Sequence, residues 1–291
     1  MYKLFMEFDN PTEDFLGKHH PVQGFAIHEN IGFVLFHTGA CAAYNLDTKE
    51  RKPISVFKLG SYNEGLPDNR YTNHANDAMF GKKPDGEDFP LMYVTAGNSG
   101  EQDEKGYIAY CAVEQIKNIN GVFSSETVQR IYYKNDGIEK TSYQTPGWGW
   151  PASLVDVNGG WYYMFSSRYR TKREFLKPDS VFIVTKFRLP DPTVGDVTLY
   201  PSDIVDQFEL PFNTFFTQGG TIHDNKIWYT FGCGPIGYPN TLRVADLSEK
   251  KFTLCEDLPE TLFADDEVEC CAFYGNRLLI NTNKCKLYER L

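Results

Sequence analysis

The chain has 291 residues, of which 41% are hydrophobic and 15% aromatic. This composition supplies enough apolar material for a large core and excludes a disordered chain. The formal net charge of −10 opposes binding to a phosphate backbone, so nucleic acid is not an expected partner, and no apolar run approaches the roughly 18 residues that a membrane span needs.

The N-terminal residues carry no signal-peptide hydrophobic region. The sequence as written therefore predicts a cytoplasmic protein, or an exported one if a leader has been removed. The seven cysteines are an odd number and show no Cys-x-x-Cys spacing. They predict that most of the cysteines are buried thiols, and they favour neither a disulfide framework nor a structural zinc site.

Strand-like runs rich in Val, Ile, Phe, Tyr and Trp alternate with Gly, Asn, Asp and Pro along the whole chain, which predicts an all-β fold. The first run, Lys3–Phe8, stands before any repeat. Four repeats of four strands follow. The first repeat is predicted at Val22–Ile27, Phe33–His37, Ala42–Leu46 and Val56–Leu59, and the second at Asn76–Phe80, Leu91–Thr95, Tyr107–Val113 and Val128–Tyr132. The third is predicted at Ser153–Val157, Trp161–Ser166, Val181–Phe187 and within Val197–Leu210, and the fourth at Gln218–Ile222, Ile227–Phe231, Thr241–Asp246 and Lys251–Cys255. A fifth repeat has three strands, at Glu269–Tyr274, Arg277–Thr282 and Lys286–Glu289.

An internal repeat connects the first and fourth of these units. The segment that begins at Gln23-Gly24 and ends at His28-Glu29-Asn30 returns as Gln218-Gly219 to His223-Asp224-Asn225. Stacked four-strand units predict a single-domain five-bladed β-propeller over residues 1–291. Pairing of Lys3–Phe8 with the three-stranded last blade would close the ring and protect both edges. The alternative is six blades, which requires another repeat within Pro190–Leu210.

The repeats also define a register. Gln23, Gln218, Glu269 and Ser153 each lie seven residues before a turn, and Asn76 takes this position in the second blade by strand order. The starts of the innermost strands ring one mouth of a propeller channel, so this mouth is the predicted site. The predicted ligand-binding residues are Gln23, His74, Asn76, Asp77, Trp148, Trp150, Gln218, Glu267 and Glu269.

These residue types suit a polar ligand, because amides and carboxylates orient hydroxyl groups and tryptophans offer a flat apolar face. The sequence leaves structural alternatives open. The two glutamines would equally satisfy backbone groups of adjacent inner strands, and the two tryptophans would equally pack between blades. His28 and His223 lie at the other end of their strands, where a structural role is expected.

If the protein is an enzyme, Asp77 and Glu269 are the predicted catalytic carboxyl pair, because they are assigned to the same mouth. His74 and Asp77 are also candidates for a base or a metal ligand. No cofactor is predicted, and a divalent cation held by oxygen atoms of Asn76, Asp77 and Glu269 is the alternative.

The segment Phe216-Thr217-Gln218-Gly219, followed by Asp224-Asn225-Lys226-Ile227-Trp228-Tyr229, resembles the glutaminyl cyclotransferases of plants and bacteria. These are five-bladed propellers with a similar Phe-Thr-Gln-Gly strand start. Gly147-Trp148-Gly149 is similar to their Gly-Trp-Gly segment, whereas their acidic residue in a Gly-Glu-Gly context has no counterpart here.

Two further resemblances are weaker in extent. Asn76-Asp77 is similar to the Asn-Asp pair of gluconolactonase-like metal hydrolases, which have six blades. The whole chain resembles uncharacterised propeller proteins of gut Bacteroidetes.

The sequence therefore predicts a propeller that binds a small polar ligand, such as a saccharide or the end of a peptide, at the channel mouth. The first alternative is an enzyme at the same mouth, either a hydrolase resembling glycoside hydrolases or an acyl transferase resembling the glutaminyl cyclotransferases. The second alternative is a protein-interaction scaffold with a broad apolar patch on the opposite face.

Overall fold

The computed structural model of the chain describes residues 1–63, 74–95, 107–134, 152–168 and 181–291. Within these ranges the strands form five separate sheets, four with four strands and one with five. This is the predicted five-bladed propeller, and each sheet is one blade. The helices of these ranges are short, and none is long and apolar enough to cross a membrane.

The strands follow the predicted repeats closely. The first strand, β1 (Tyr2–Glu7), is followed by the short helix α1 (Thr12–Leu16). Blade one contains β2 (Val22–His28), β3 (Ile31–Phe36), β4 (Ala40–Asn45) and β5 (Ser55–Lys58). Blade two begins with β6 (Asp77–Phe80), β7 (Leu91–Thr95), β8 (Tyr107–Ile119) and β9 (Val122–Lys134).

The later blades have the same plan. Blade three contains β10 (Ala152–Asp156), β11 (Trp161–Arg168), β12 (Val181–Arg188) and, after the short strand β13 (Val197–Leu199), β14 (Asp206–Pro211). Blade four contains β15 (Thr217–His223), β16 (Lys226–Cys233), β17 (Tyr238–Asp246) and β18 (Lys251–Asp257). After helix α2 (Glu260–Phe263), blade five contains β19 (Val268–Tyr274), β20 (Arg277–Thr282) and β21 (Lys286–Arg290).

The N-terminal strand closes the ring as predicted. β1 pairs antiparallel with β21, from Tyr2 opposite Arg290 to Glu7 opposite Lys286. The pairing gives blade five its fourth strand and covers an edge that would otherwise present unpaired backbone groups. Arg51 connects the end of β1 and the residues after it to blade one, because its guanidinium lies 3.2 Å from the Glu7 carboxylate and 3.0 Å from the Asp9 carboxylate.

The region between β12 and β14 forms no additional blade, so the six-blade alternative is wrong. Instead β13 joins the outer edge of blade two, where it runs parallel to β9 with Val197 opposite Ile131. The Gln129 side-chain amide fixes the crossing segment by donating to the carbonyls of Asp191 and Gly195, both at 2.8 Å. The chain then returns as β14, which completes blade three.

Aromatic side chains fill the spaces between blades. Phe165 of blade three packs against Tyr229 of blade four with 4.4 Å between ring centroids, and Phe33 of blade one contacts Phe89 and Phe123 of blade two. Such contacts bury large apolar areas, which explains why the chain is rich in aromatic residues.

The innermost strands β2, β6, β10, β15 and β19 stand side by side around the channel axis, each at the edge of its sheet. They approach closely: the Gly24 N–H donates to the Ala75 carbonyl at 2.7 Å. A Cβ atom added to Gly24 would lie 2.6 Å from that same carbonyl oxygen, so a residue without a side chain is required there.

Candidate functional site

Three of the five innermost strands carry an irregularity at the same place. The pairing register shifts between Val22 and Phe25 in β2, between Thr217 and Gly220 in β15, and between Val268 and Cys270 in β19. These shifts contain Gln23, Gln218 and Glu269, which the sequence register places at equivalent positions. A bulge changes the direction in which a side chain points. The same kind of backbone irregularity therefore orients these side chains in all three blades.

Four polar side chains meet at the starts of β15 and β19, and we call them the Gln218 cluster: Gln218, Glu267, Glu269 and Asn283. The Gln218 amide nitrogen donates to the Gly232 carbonyl at 2.8 Å and to the Glu267 carboxylate at 2.9 Å. The Asn283 amide donates to the Glu269 carboxylate at 3.0 Å, and the Asn283 N–H donates to the Glu267 carbonyl at 2.9 Å. The cluster thus connects two neighbouring blades and brings two carboxyl groups together.

The two carboxyl groups of the cluster differ in environment. Glu269 is 1% exposed, whereas Glu267 is partly exposed. Burial raises the pKa of Glu269 well above its usual value, and the nearby charge of Glu267 raises it further, while the Asn283 hydrogen bond acts in the opposite direction. Burial therefore favours the protonated form of Glu269, in which the carboxyl group can donate as well as accept a hydrogen bond.

Asn76 and Asp77 reach across the channel axis from blade two to blade four. The Asn76 amide donates to the Gln218 carbonyl at 3.2 Å, and one Asp77 carboxyl oxygen accepts from the Gly220 N–H at 3.2 Å. The same oxygen lies 3.3 Å from the Cys270 thiol of blade five. Both side chains are thus part of the contacts between blades around the axis.

The Asp77 carboxyl group is completely buried, and its second oxygen has no hydrogen-bond partner among the described residues. Burial raises the pKa of Asp77 to about 8, although the hydrogen bonds from Cys270, Gly220 and Ala78 lower it. Asp77 and Glu269 are the predicted catalytic pair, and burial of both carboxyl groups favours their protonated forms.

His74 lies just before β6 at the same mouth and pairs with a residue that the sequence analysis did not select. Its Nδ1 atom is 2.9 Å from the Nδ1 atom of His37, which follows β3. Burial lowers the pKa of His74 to about 3, and the adjacent His37 lowers it further. His74 is therefore a neutral imidazole at physiological pH.

The remaining predicted residues have different surroundings. The Gln23 side chain is 5% exposed and its amide oxygen has no partner among the described residues, while its carbonyl accepts from the Asn281 amide at 2.9 Å. The Ser153 hydroxyl lies 2.7 Å from the Tyr162 hydroxyl. Trp148 and Trp150 lie outside the described residues.

The opposite end of the inner strands forms a separate cavity of about 180 Å³. His223 lines it and stacks on Phe273 with 3.9 Å between ring centroids, whereas His28 packs against Phe80 and Phe89. Both histidines lie at the ends of their strands, away from the Gln218 cluster, as the register predicts.

A metal centre is not evident in the part of the chain that the structure describes. No group of three or more His, Cys, Asp or Glu side chains within those ranges is arranged to hold a metal ion. The two carboxyl groups of the Gln218 cluster, Glu267 and Glu269, each accept a hydrogen bond from a side-chain amide.

The sequence analysis missed Asn283 and His37, both of which follow the second strand of a blade. In an antiparallel hairpin the end of the second strand lies beside the start of the first, as Phe36 lies opposite Val22 and Thr282 opposite Val268. Applying this rule to the predicted hairpins would have placed both residues at the mouth.

Comparison with known proteins shows similarity in fold only. No family model matches the sequence, and no curated protein matches it. Among solved structures, glutaminyl cyclase from Myxococcus xanthus matches with a TM-score of 0.53 and 12% identity, covering 99% of this chain and 94% of the other. Hydrazine synthase from Kuenenia stuttgartiensis matches with a TM-score of 0.42 and 11% identity, covering 89% of this chain and 61% of the other.

Proposed function

We propose that this propeller binds a small polar ligand at the mouth formed by the starts of its inner strands, and that the Gln218 cluster is the main recognition element. The proposal rests on the convergence of two amides and two carboxyl groups, linked by hydrogen bonds of 2.9 Å and 3.0 Å, from two neighbouring blades. Propeller channels collect polar groups from different blades at one point in this way.

The cluster offers groups of opposite hydrogen-bonding character. Glu267 is partly exposed and accepts hydrogen bonds, whereas burial of Glu269 favours its protonated form, which can donate. A saccharide hydroxyl, which both donates and accepts, fits this arrangement. The amino end of a peptide also fits, because its ammonium group would pair with Glu267.

The binding proposal is tested by titrating the protein with two probe sets, simple hexoses and short peptides with a free amino terminus, and following amide signals by NMR. We expect Gln218→Ala to weaken binding of the probe that the wild type recognises at least tenfold. Gln207→Ala is the matched control, because its amide donates at 2.8 Å to Thr185 on the outer part of blade three. Equal affinities of wild type and Gln218→Ala would contradict the assignment.

A second candidate is an acyl-transfer enzyme of the glutaminyl cyclotransferase kind. Two observations favour it: the fold is similar to glutaminyl cyclase from Myxococcus xanthus, and Glu269 has a raised pKa. Acyl transfer needs a group that gives a proton to the leaving group, and a carboxyl group whose protonated form is favoured by burial can do so.

This candidate is tested by incubating the protein with a peptide that has an N-terminal glutamine and following loss of ammonia by mass spectrometry. Activity that disappears in Glu269→Gln and persists in the surface variant Glu126→Gln would support it. A wild-type protein that releases no ammonia from this peptide would contradict the acyl-transfer candidate. Asp77 has no direct role in either proposal, because its carboxyl group contacts Gly220 and Cys270.

A further inference from the structure

The cavity at the other end of the inner strands, about 180 Å³ in volume, lies between the ends of β2, β6, β15 and β19. The small side chains of Ala26, Ala78 and Ala272 leave this space open, and Phe80 and Phe273 form part of its wall. A cavity of roughly 150 Å³ holds a molecule of the size of benzene. This cavity therefore has room for one six-membered ring with a small substituent.

Backbone groups of the inner strands face this space. Each inner strand is the edge of its sheet, so every second residue directs its N–H and C=O away from the partner strand and toward the channel. In blade one a two-residue turn closes with His28 opposite Ile31, and such a closing pair is hydrogen-bonded. The backbone groups of Ile27, one position earlier, therefore point into the channel. The same geometry in blades four and five selects Ile222 and Phe273, and all three residues line the cavity.

Deeper in the channel, side chains take up the inward-facing backbone groups. The Gly220 N–H donates to the Asp77 carboxyl group at 3.2 Å, and the Phe25 carbonyl lies 3.7 Å from the Cys270 thiol. The same thiol lies 3.3 Å from Asp77, and both side chains are completely buried. Asp77 and Cys270 therefore separate the cavity from the Gln218 cluster.

The side chains around the cavity are neutral or weakly polar. Among the described residues that line it there is no Lys, Arg, Asp or Glu, and the side-chain polar groups are the Thr221 hydroxyl and the His223 imidazole. His223 is fixed at the rim by stacking on Phe273, and its Nε2 atom lies 3.4 Å from the exposed Asp224 carboxylate. An ionic ligand would lose its water shell here without gaining a counter-ion inside the cavity.

We propose that this cavity is a second ligand site, which binds a neutral planar ring that bears an amide or lactam group. The inward N–H and C=O groups of Ile27, Ile222 and Phe273 offer donors and acceptors, and an amide complements them with one of each. The aromatic side chains of Phe80 and Phe273 pack against the ring. A purely apolar ring would displace water from the backbone groups without replacing its hydrogen bonds.

The site is tested by titrating the protein with benzamide, benzoate and toluene, three probes of similar shape, and following the backbone amide signals by NMR. We expect saturable binding of benzamide with a dissociation constant below about 10 mM, at least tenfold tighter than that of benzoate or toluene. The N–H signals of Ile27, Ile222 and Phe273 should shift. The side-chain amide signal of Gln218 should stay in place.

Ala272→Leu tests the location of the site. Ala272 is 7% exposed, whereas Ala26 and Ala78 are each 1% exposed, so a larger side chain at this position has the most direct access to the cavity. We expect it to weaken benzamide binding at least tenfold. Ala264→Leu is the matched control, because Ala264 is exposed and lies directly after helix α2.

Four outcomes would overturn the second site. Benzamide that does not bind saturably would show that the cavity holds only water, and benzoate or toluene that binds as tightly as benzamide would contradict the ligand class. Signal shifts confined to the Gln218 cluster, or an unchanged benzamide affinity in Ala272→Leu, would contradict the location. If Ala272→Leu does not fold, the selectivity among probes and the positions of the shifted signals still decide the question. The site shares no residue with the Gln218 cluster, so its failure and the failure of the proposed function are separate results.

Discussion

Replacing Asp77 by Asn is expected to stabilise the protein relative to the wild type by an amount that grows as the pH rises from 5 to 7. Asp77 is fully buried, and its pKa rises from 3.8 to about 8 mainly because of desolvation. The folded protein therefore keeps a proton that the unfolded chain loses above pH 3.8. Stability contributed by this group is present at low pH and is lost as the pH rises from about 4 through about 8.

The magnitude follows from the difference of one bound proton. Between pH 5 and pH 7 the folded state holds about one proton more than the unfolded state, so the free energy of unfolding falls by about 1.4 kcal/mol per pH unit. Over two units this gives about 2.7 kcal/mol. An asparagine has the shape of the protonated carboxyl group and can still accept from the Gly220 N–H, so Asp77→Asn removes this pH dependence at small structural cost.

The assay is urea unfolding at pH 5, 6 and 7 for the wild type, Asp77→Asn and the exposed control Asp14→Asn. Glu269 and Asp266 also have raised pKa values and contribute to the slope of every variant. The quantity to compare is therefore the difference between variants at each pH. If the stability of Asp77→Asn relative to the wild type stays constant from pH 5 to pH 7, Asp77 is already ionised and the reasoning is wrong.

Two further substitutions, Glu114→Gln and Gly219→Ala, test contacts between blades, and Glu126→Gln is the control for the first. Glu114→Gln is expected to lower the free energy of unfolding by about 3 kcal/mol. The buried carboxylate accepts from four donors, which are the N–H groups of Gly60 and Ser61 and the hydroxyls of Ser125 and Thr127. An amide can accept from only some of these donors. Glu126→Gln, which alters an exposed ion pair with Lys117, should cost less than about 1 kcal/mol. Gly219→Ala should lower the free energy of unfolding, measured with urea, by about 1–3 kcal/mol, because the added Cβ would lie 2.5 Å from the Asn76 carbonyl oxygen. An unchanged urea midpoint would contradict the close approach of these strands.

The sequence allowed the fold to be predicted in detail because each blade repeats the same order of strands and turns. The place of Lys3–Phe8 could be deduced as well, since the last repeat lacked one strand and an unpaired strand preceded the first. β13 was not predicted as a separate element. It has three residues and pairs in parallel with a distant strand, so neither alternation nor a tight turn marks it in the sequence.

The candidate site was predicted less completely. The register correctly treated Gln23, Gln218 and Glu269 as equivalent positions, as their common bulges show. It could not show that Asn76 and Asp77 reach blade four, because this contact depends on how far the ring closes around its axis. The desolvation that raises the pKa of Asp77 also results from the packing of the inner strands around the axis, so the order of residues in the sequence could not predict it.

The pairing of β1 with β21 brings the two chain ends together. The Leu291 N–H donates to the Met1 carbonyl at 2.9 Å, on the outer edge of blade five. A short peptide linker could therefore join the ends without deforming the ring. The exposed turn at Asn120-Gly121, between the two long strands of blade two, would then offer a place for new ends. In such a circular permutant all four strands of blade five would be continuous in sequence, and ring closure would depend on blade two.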